Sequence, residues 1–324
     1  MKFTTSIRLS IALVFCKLGK ASLTDCSKNL AFQLTNLFQL GQIQYDYGNC
    51  EVDNSGNGYA AGIVNFCTGT GDAWQVIQLY HEATGNDDEF TQYDDILQKY
   101  AEEGDGSTEG IENFCEIWEQ ASKTQAFMDA QNQIVDELYF NPSQKYADTL
   151  NLTLSISRAQ LYDTAISHGA TESSYSLGGM VKLANSRFGR DIAGNTTALT
   201  IGEYKVDEIE WLKEFLNVRA GYSSEGDATN SIYSYTYILE QGEYMWTDKI
   251  TVLNNQDNQT EISCANSFMP SVPGSSGTSK AKAKSSETEE GSRSTSSRRS
   301  RGTSSQKARD EEEEEKEEAE DAEE

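Results

Sequence analysis

The sequence predicts a mainly α fold, and three observations carry that prediction. Apolar residues recur at helical spacing in 30–40, 90–101, 111–122, 124–140, 150–167 and 205–220. Breaks at Gly104-Asp-Gly106-Ser, at Asn141-Pro142 and over 189–194 separate these segments as loops. A chain of 324 residues is long enough to bury a sizeable core, and it shows no internal repeat.

The first predicted helix has apolar residues at 30, 34, 37, 38 and 40. Residues 41–58 are polar and turn-rich, and 63–66 suits either a strand or the start of a helix. The next helix opens after Asp72, whose acid complements the positive end of the helix dipole, and carries Trp74, Ile77, Leu79 and Tyr80 inward. Tyr233, Tyr235, Tyr237, Tyr244 and Trp246 alternate as half-buried strand residues do, although such aromatics also stack on sugar faces. His168 before Gly169 suits a helix C-terminus.

The formal charge of −26 is unevenly spread. Residues 310–324 carry a net of −11 and 280–309 a net of +6, which leaves −21 on 1–279. An acidic body repels nucleic acid and attracts cationic ligands. From about residue 271 the chain loses its aromatics and turns to Ser, Gly, Lys, Arg and Glu, so 271–324 is expected to be a disordered charged tail, usually only a solvated segment. At the other end Lys2 and Arg8 precede the apolar run Ile11-Ala-Leu-Val-Phe-Cys16, with Gly19 and Ala21 beyond. That is the layout of a secretory leader over 1–21, and no other apolar run approaches the roughly 18 residues that cross a bilayer. The expected product is extracellular, with one domain over 22–270 and no membrane partner.

Beyond the leader stand Cys26, Cys50, Cys67, Cys115 and Cys264. Their odd number leaves at least one thiol unpaired or joined to another molecule; their spacing assigns no pairing and suggests no zinc site. His81 and His168 lack the partners that metal or nucleophile chemistry needs, so no cofactor is expected.

The densest motif runs from 44 to 72: Gln-Tyr45-Asp-Tyr47, then Glu51-Val-Asp53, then Gly58-Tyr-Ala-Ala-Gly-Ile-Val-Asn-Phe-Cys-Thr-Gly-Thr-Gly-Asp72. Acids, aromatics and glycines at this density suit a sugar-binding cleft, since glycine lets the backbone approach a ligand closely. The run resembles the signature segment of the chitosanases of glycoside hydrolase family 46. Leu34-Thr-Asn-Leu-Phe38, Ala130-Gln131 with Leu138-Tyr-Phe-Asn-Pro142, Leu161-Tyr-Asp163-Thr with His168-Gly169, and Trp211-Leu-Lys-Glu-Phe-Leu-Asn-Val-Arg219 resemble later or flanking family segments in the same order.

The resemblance implies a two-lobed lysozyme-like fold, mainly α, with a cleft that binds chitosan or a related cationic aminosugar polymer. It also implies inverting endo-hydrolysis of β-1,4 glucosamine links. Inversion needs a carboxylic acid for the leaving oxygen and a carboxylate for the water, about 6.5 to 9.5 Å apart. A gapless count from Tyr45 and Tyr47 puts Asp53 at the base position; a gap placed earlier puts Ser55 there, and Asp53 then reads as an Asx-turn acid. Gln39 stands where the family has its acid Glu, Ala60 where it has a water-positioning Thr, and Asn230 near a supporting Arg. Asp72, which matches a residue holding a substrate amino group, is kept, as are Tyr45 and Tyr59 in the binding half and Asp163 and Arg219 in the supporting network. An amide at 39 cannot donate a proton. Either another acid such as Glu51 serves, or the chain is a non-catalytic chitosan binder.

Overall fold

A computed structural model describes residues 21–222, 227–253 and 258–267. The expected tail, and all of the expected leader except Ala21, lie outside the described residues.

The chain opens with α1 (Asp25–Gln39), whose N-cap Thr24 accepts from the Ser27 amide at 3.1 Å. Residues Leu30 to Phe38 are buried without interruption, so this helix is central rather than amphipathic. Three short antiparallel strands follow in spatial order β1 (Cys50–Val52), β2 (Tyr59–Ala61) and β3 (Phe66–Cys67). The ambiguous stretch 63–66 thus divides between a 3₁₀ turn, Gly62–Val64, and β3. Gly62 has φ +73°, and a Cβ there would lie 2.3 Å from Gln131 Oε1. The glycine is required because Gln131 fills that space to accept from the Ile63 amide and donate to the Tyr47 carbonyl.

One lobe is built from this sheet with α2 (Asp72–Thr84), α3 (Asp94–Glu103) and α4 (Phe114–Ala121). Its core is aromatic: Phe90, Phe114, Trp118 and Phe127 meet at centroid separations of 4.7 to 6.1 Å. The crossing between lobes is α5 (Gln125–Val135), a π turn over Asp136–Phe140, and α6 (Asn141–Leu150). The expected loop at Asn141-Pro142 is therefore corrected. Proline is tolerated in the first turn of a helix, where its missing N–H has no partner to lose, and α6 begins there.

The other lobe gathers α1, α7 (Ser155–His168), α8 (Leu177–Ser186), α9 (Glu208–Ala220) and α10 (Asp227–Glu240), with hairpins β4 (Ala198–Ile201)/β5 (Tyr204–Asp207) and β6 (Lys249–Leu253)/β7 (Gln259–Ser263). α7 is buried from Ser155 to Ala165 and ends at His168, with Gly169 at φ +73°. Tyr233, Tyr235 and Tyr237 lie on α10 and not on the expected strand. Only Tyr235 is fully buried, stacked on Trp246, while Tyr233 is exposed. The alternation of period two was accidental; tertiary packing of one helix face decided the element.

Among the described residues two disulfides form, Cys26–Cys264 joining α1 to the end of β7 and Cys50–Cys115 joining β1 to α4, and Cys67 is left as a thiol. Among the described residues no helix is long and apolar enough to cross a membrane.

Candidate active site

The sheet β1–β3 has two unlike faces, because directly paired residues on neighbouring strands point the same way and successive residues alternate. Tyr59, Ala61 and Phe66 turn inward. Tyr59 stacks on Phe114 with ring centroids 5.3 Å apart, and Phe66 tilts against Trp118. Glu51 pairs with Ala60, and Ala60 with Cys67, so these three form a row on the outward face. Asp53 joins that face two residues beyond Glu51, the ladder continuing through its amide to the Gly58 carbonyl at 2.8 Å.

Asp53 closes the hairpin. Its carboxylate accepts from the Ser55 amide at 3.1 Å, the Asn57 amide at 3.0 Å and the Asn57 side chain at 2.8 Å. Burial pushes its pKa up, but these donors outweigh it and hold the acid below the usual carboxylate range. Asp53 thus has the Asx-turn geometry and is also an ionised carboxylate on the outward face. Ser55 is an exposed turn residue. Gly58 sits at φ +87° where a Cβ would meet Thr68 Oγ1 at 2.1 Å, which keeps the hairpin tight.

The end of α1 borders the same face. Asn49 precedes Glu51 by two residues and donates to Asn65 Oδ1 at 2.9 Å; Asn65 donates to the Gln39 carbonyl at 3.1 Å. Along β1 the face therefore runs from Gln39 through Asn49 and Glu51 to Asp53. One helical turn before Gln39, Thr35 donates to Asp163 Oδ1 at 3.0 Å. Asp163 Oδ2 takes Arg219 at 2.6 Å and the hydroxyl of Ser231. Four helices, α1, α7, α9 and α10, are joined at this carboxylate. On α10 Ser231 meets it; the side chain of Asn230 lies outside the described residues. His168 is beside the pair; burial, with Arg219 adding to it and Asp163 opposing, pulls its imidazole down to about 4, so it is neutral near pH 7.

Asp72 opens α2 and is clamped. Its Oδ1 accepts from the Cys67 amide at 2.8 Å, its own helix at Ala73 at 3.1 Å and the Thr70 hydroxyl at 2.6 Å; Tyr139 donates to Oδ2 at 2.7 Å. Burial raises its pKa in spite of these donors. Cys67 stands between this group and Asp53. Burial, and then the charges of Asp72 and Asp53, push its thiol up to about 12. Tyr139 reaches Asp72 because the π turn shifts it around the helix axis, a common device at functional sites.

Tyr45 and Tyr59 are 3% and 9% exposed. Tyr45 packs on Phe32 and Tyr47, and Tyr59 on Phe114, so most of each ring is covered by the core. Ala60 is buried and offers only a methyl group in this row, as its place at the family's Thr position implied. Thr70, Tyr139 and Ser231 are the functional neighbours that sequence reasoning passed over. Tyr139 lay inside a quoted family segment, whereas Ser231 carried no signal. His81 bridges Asp88 at 2.8 Å and Asp94 at 2.9 Å, tying the end of α2 to the start of α3. No group of ligands suited to a metal ion occurs among the described residues.

Two helical lobes with a carboxylate-bearing face at their junction define the class of glycoside hydrolases built on a lysozyme-like plan. The chain belongs to glycosyl hydrolase family 46, whose model matches residues 33–232. It is 32% identical over 199 residues to a chitosanase of Bacillus subtilis strain 168, covering 61% of this chain and 68% of that protein. It is 30% identical over 203 residues to a chitosanase of Streptomyces sp. N174, covering 59% and 65%. Among solved structures it is similar to the Gynuella sunshinyii family 46 chitosanase in complex with chitotetraose, with TM-score 0.66, 27% identity, and 74% of this chain and 99% of that one covered. A Bacillus subtilis MY002 chitosanase, solved as a mutant with six GlcN, gives TM-score 0.65 at 26% identity over 73% and 98%.

Proposed function

We propose that this chain is an exported chitosanase that hydrolyses β-1,4 links between glucosamine residues, cutting within the polymer and inverting the anomeric carbon. The observation that carries this reading is the outward sheet face, where Asp53 and Asp72 flank Cys67 and the end of α1 closes the row. In this role Asp53, ionised and pinned by three donors, takes a proton from water as the water attacks C1. Asp72, pinned by Tyr139 and Thr70, holds a substrate ammonium. Asp163 and Arg219 hold α1 against α7 and α9 so that the cleft keeps its shape, and Gln39 lines the cleft as a neutral amide. Ala60 leaves the attacking water to be positioned by Asp53 alone.

A polymer of positive charge suits a body carrying −21 over 1–279, and the same charge disfavours nucleic acid. The leader over 1–21, the domain over 22–270 and the charged tail over 271–324 complete the proposal, with no membrane partner. Purified protein incubated with chitosan hexamer should release shorter oligomers, with newly formed reducing ends in the α configuration by NMR at early times. β-configured ends would refute inversion; intact hexamer that still binds would leave a non-catalytic binder.

A further inference from the structure

We infer that Glu51 is the proton donor of this site, an assignment that rests on the hydrolase reading above. Gln39 holds no transferable proton, so hydrolysis of an alkyl glycoside needs a carboxylic acid elsewhere on the face. The acids there are Glu51, Asp53 and Asp72. Asp53 is committed to three donors of its own hairpin. Both oxygens of Asp72 are occupied, Oδ1 by three donors and Oδ2 by Tyr139. Glu51 is exposed, and among the described residues its carboxyl makes no hydrogen bond or ion pair, so it is free to swing toward a bound chain.

Its place in the row is the second argument. Glu51 lies on β1 between the Asn49–Asn65–Gln39 contact and Asp53, which puts it on the Gln39 side of the base. Glu51 and Asp53 are two apart on one extended segment, so both side chains stand on the outward face of the sheet. In the step, the Glu51 O–H proton passes to the glycosidic oxygen as the C1–O bond breaks. Water adds to C1 from the opposite side and gives its proton to Asp53. One water is consumed, and solvent returns a proton to Glu51 and takes one from Asp53.

The test compares the parent with Glu51→Gln and Glu51→Asp on two substrates, chitosan hexamer and a dinitrophenyl β-glycoside of a glucosamine tetramer, whose leaving group departs without protonation. For Glu51→Gln, kcat on hexamer should fall by about 10² to 10⁴-fold with KM little changed. Its rate on the activated glycoside should remain near the parent's. Glu51→Asp, which keeps an acid on a shorter stem, should retain an intermediate rate on hexamer. Because Glu51 is exposed, thermal unfolding of the variants should match the parent. An undiminished hexamer rate in Glu51→Gln overturns the assignment, and so does an equal loss on both substrates. A parent active only on the activated glycoside also overturns it, while leaving the cleft hydrolytic. A parent inert on both substrates removes the hydrolase reading itself.

Discussion

Replacing Asp163 by asparagine removes one negative charge from a pair in which Asp163 and Arg219 are 1% and 0% exposed. The carboxylate serves Thr35 on Oδ1 and both Arg219 and Ser231 on Oδ2, and the amide can accept on one atom only. The other atom becomes a donor aimed at donors, and the buried guanidinium loses its contact with the Asp163 carboxylate. Breaking a buried pair in this way costs about 3 to 5 kcal/mol. For a domain of this size that is a fall in melting temperature of about 6 to 20 °C, at about 2 to 4 °C per kcal/mol. His168 offers no relief, because burial and Arg219 already hold it neutral. Urea unfolding followed by the fluorescence of the buried Trp118, Trp211 and Trp246 reads the cost. The double variant Asp163→Leu with Arg219→Met should lose less than Asp163→Asn, since it removes both members of the buried pair together. A single-variant loss below about 1 kcal/mol, the size of an exposed ion pair, would refute the reasoning.

Asp72 gives a pH signature. Its folded pKa lies above its unfolded value, so its contribution to stability is full below the ordinary carboxylate range and is lost as pH rises through the raised value. Asp72→Asn should flatten that part of the stability curve and raise KM for chitosan; parent KM should rise as pH falls through the raised pKa, measured with oligomers whose amines stay protonated throughout. Cys67, with its thiol near pKa 12, should resist iodoacetamide at pH 8 in the native state and react on unfolding, as mass spectrometry would show; fast native labelling contradicts the assigned environment. Cys50→Ser with Cys115→Ser opens a link spanning 65 residues, and chain entropy puts the loss at up to about 4 kcal/mol by chemical denaturation.

Much of the fold was legible because helical periodicity marks any helix with one buried side. The spacing at 30, 34, 37 and 38 found α1, and Asp72 marked the start of α2. Periodicity also marked 150–167, which holds α7, and it misled where the pattern fits two periods, as at Tyr233, Tyr235 and Tyr237 on α10. Proline misled at 142, since its effect depends on whether it falls in a first turn or an interior one, which spacing alone does not say. For the site, the motif located Asp53 and Asp72. It could not tell that Tyr45 and Tyr59 are covered, since aromatic content is the same for a platform and a wall.

By itself the sequence determined the family, the acidic character of the body, the odd cysteine, and the absence of a glutamate at position 39. These are properties of composition and local order, and they survive any arrangement in space. Only the tertiary structure decided which acids share a face, because β-pairing sets Glu51 beside Ala60 and two residues from Asp53. It alone brought Tyr139 to Asp72 across 67 positions and Ser231 to Asp163 across 68. Such contacts form when separate elements bury their apolar sides together, and the polar groups they trap must then find partners wherever packing has put them.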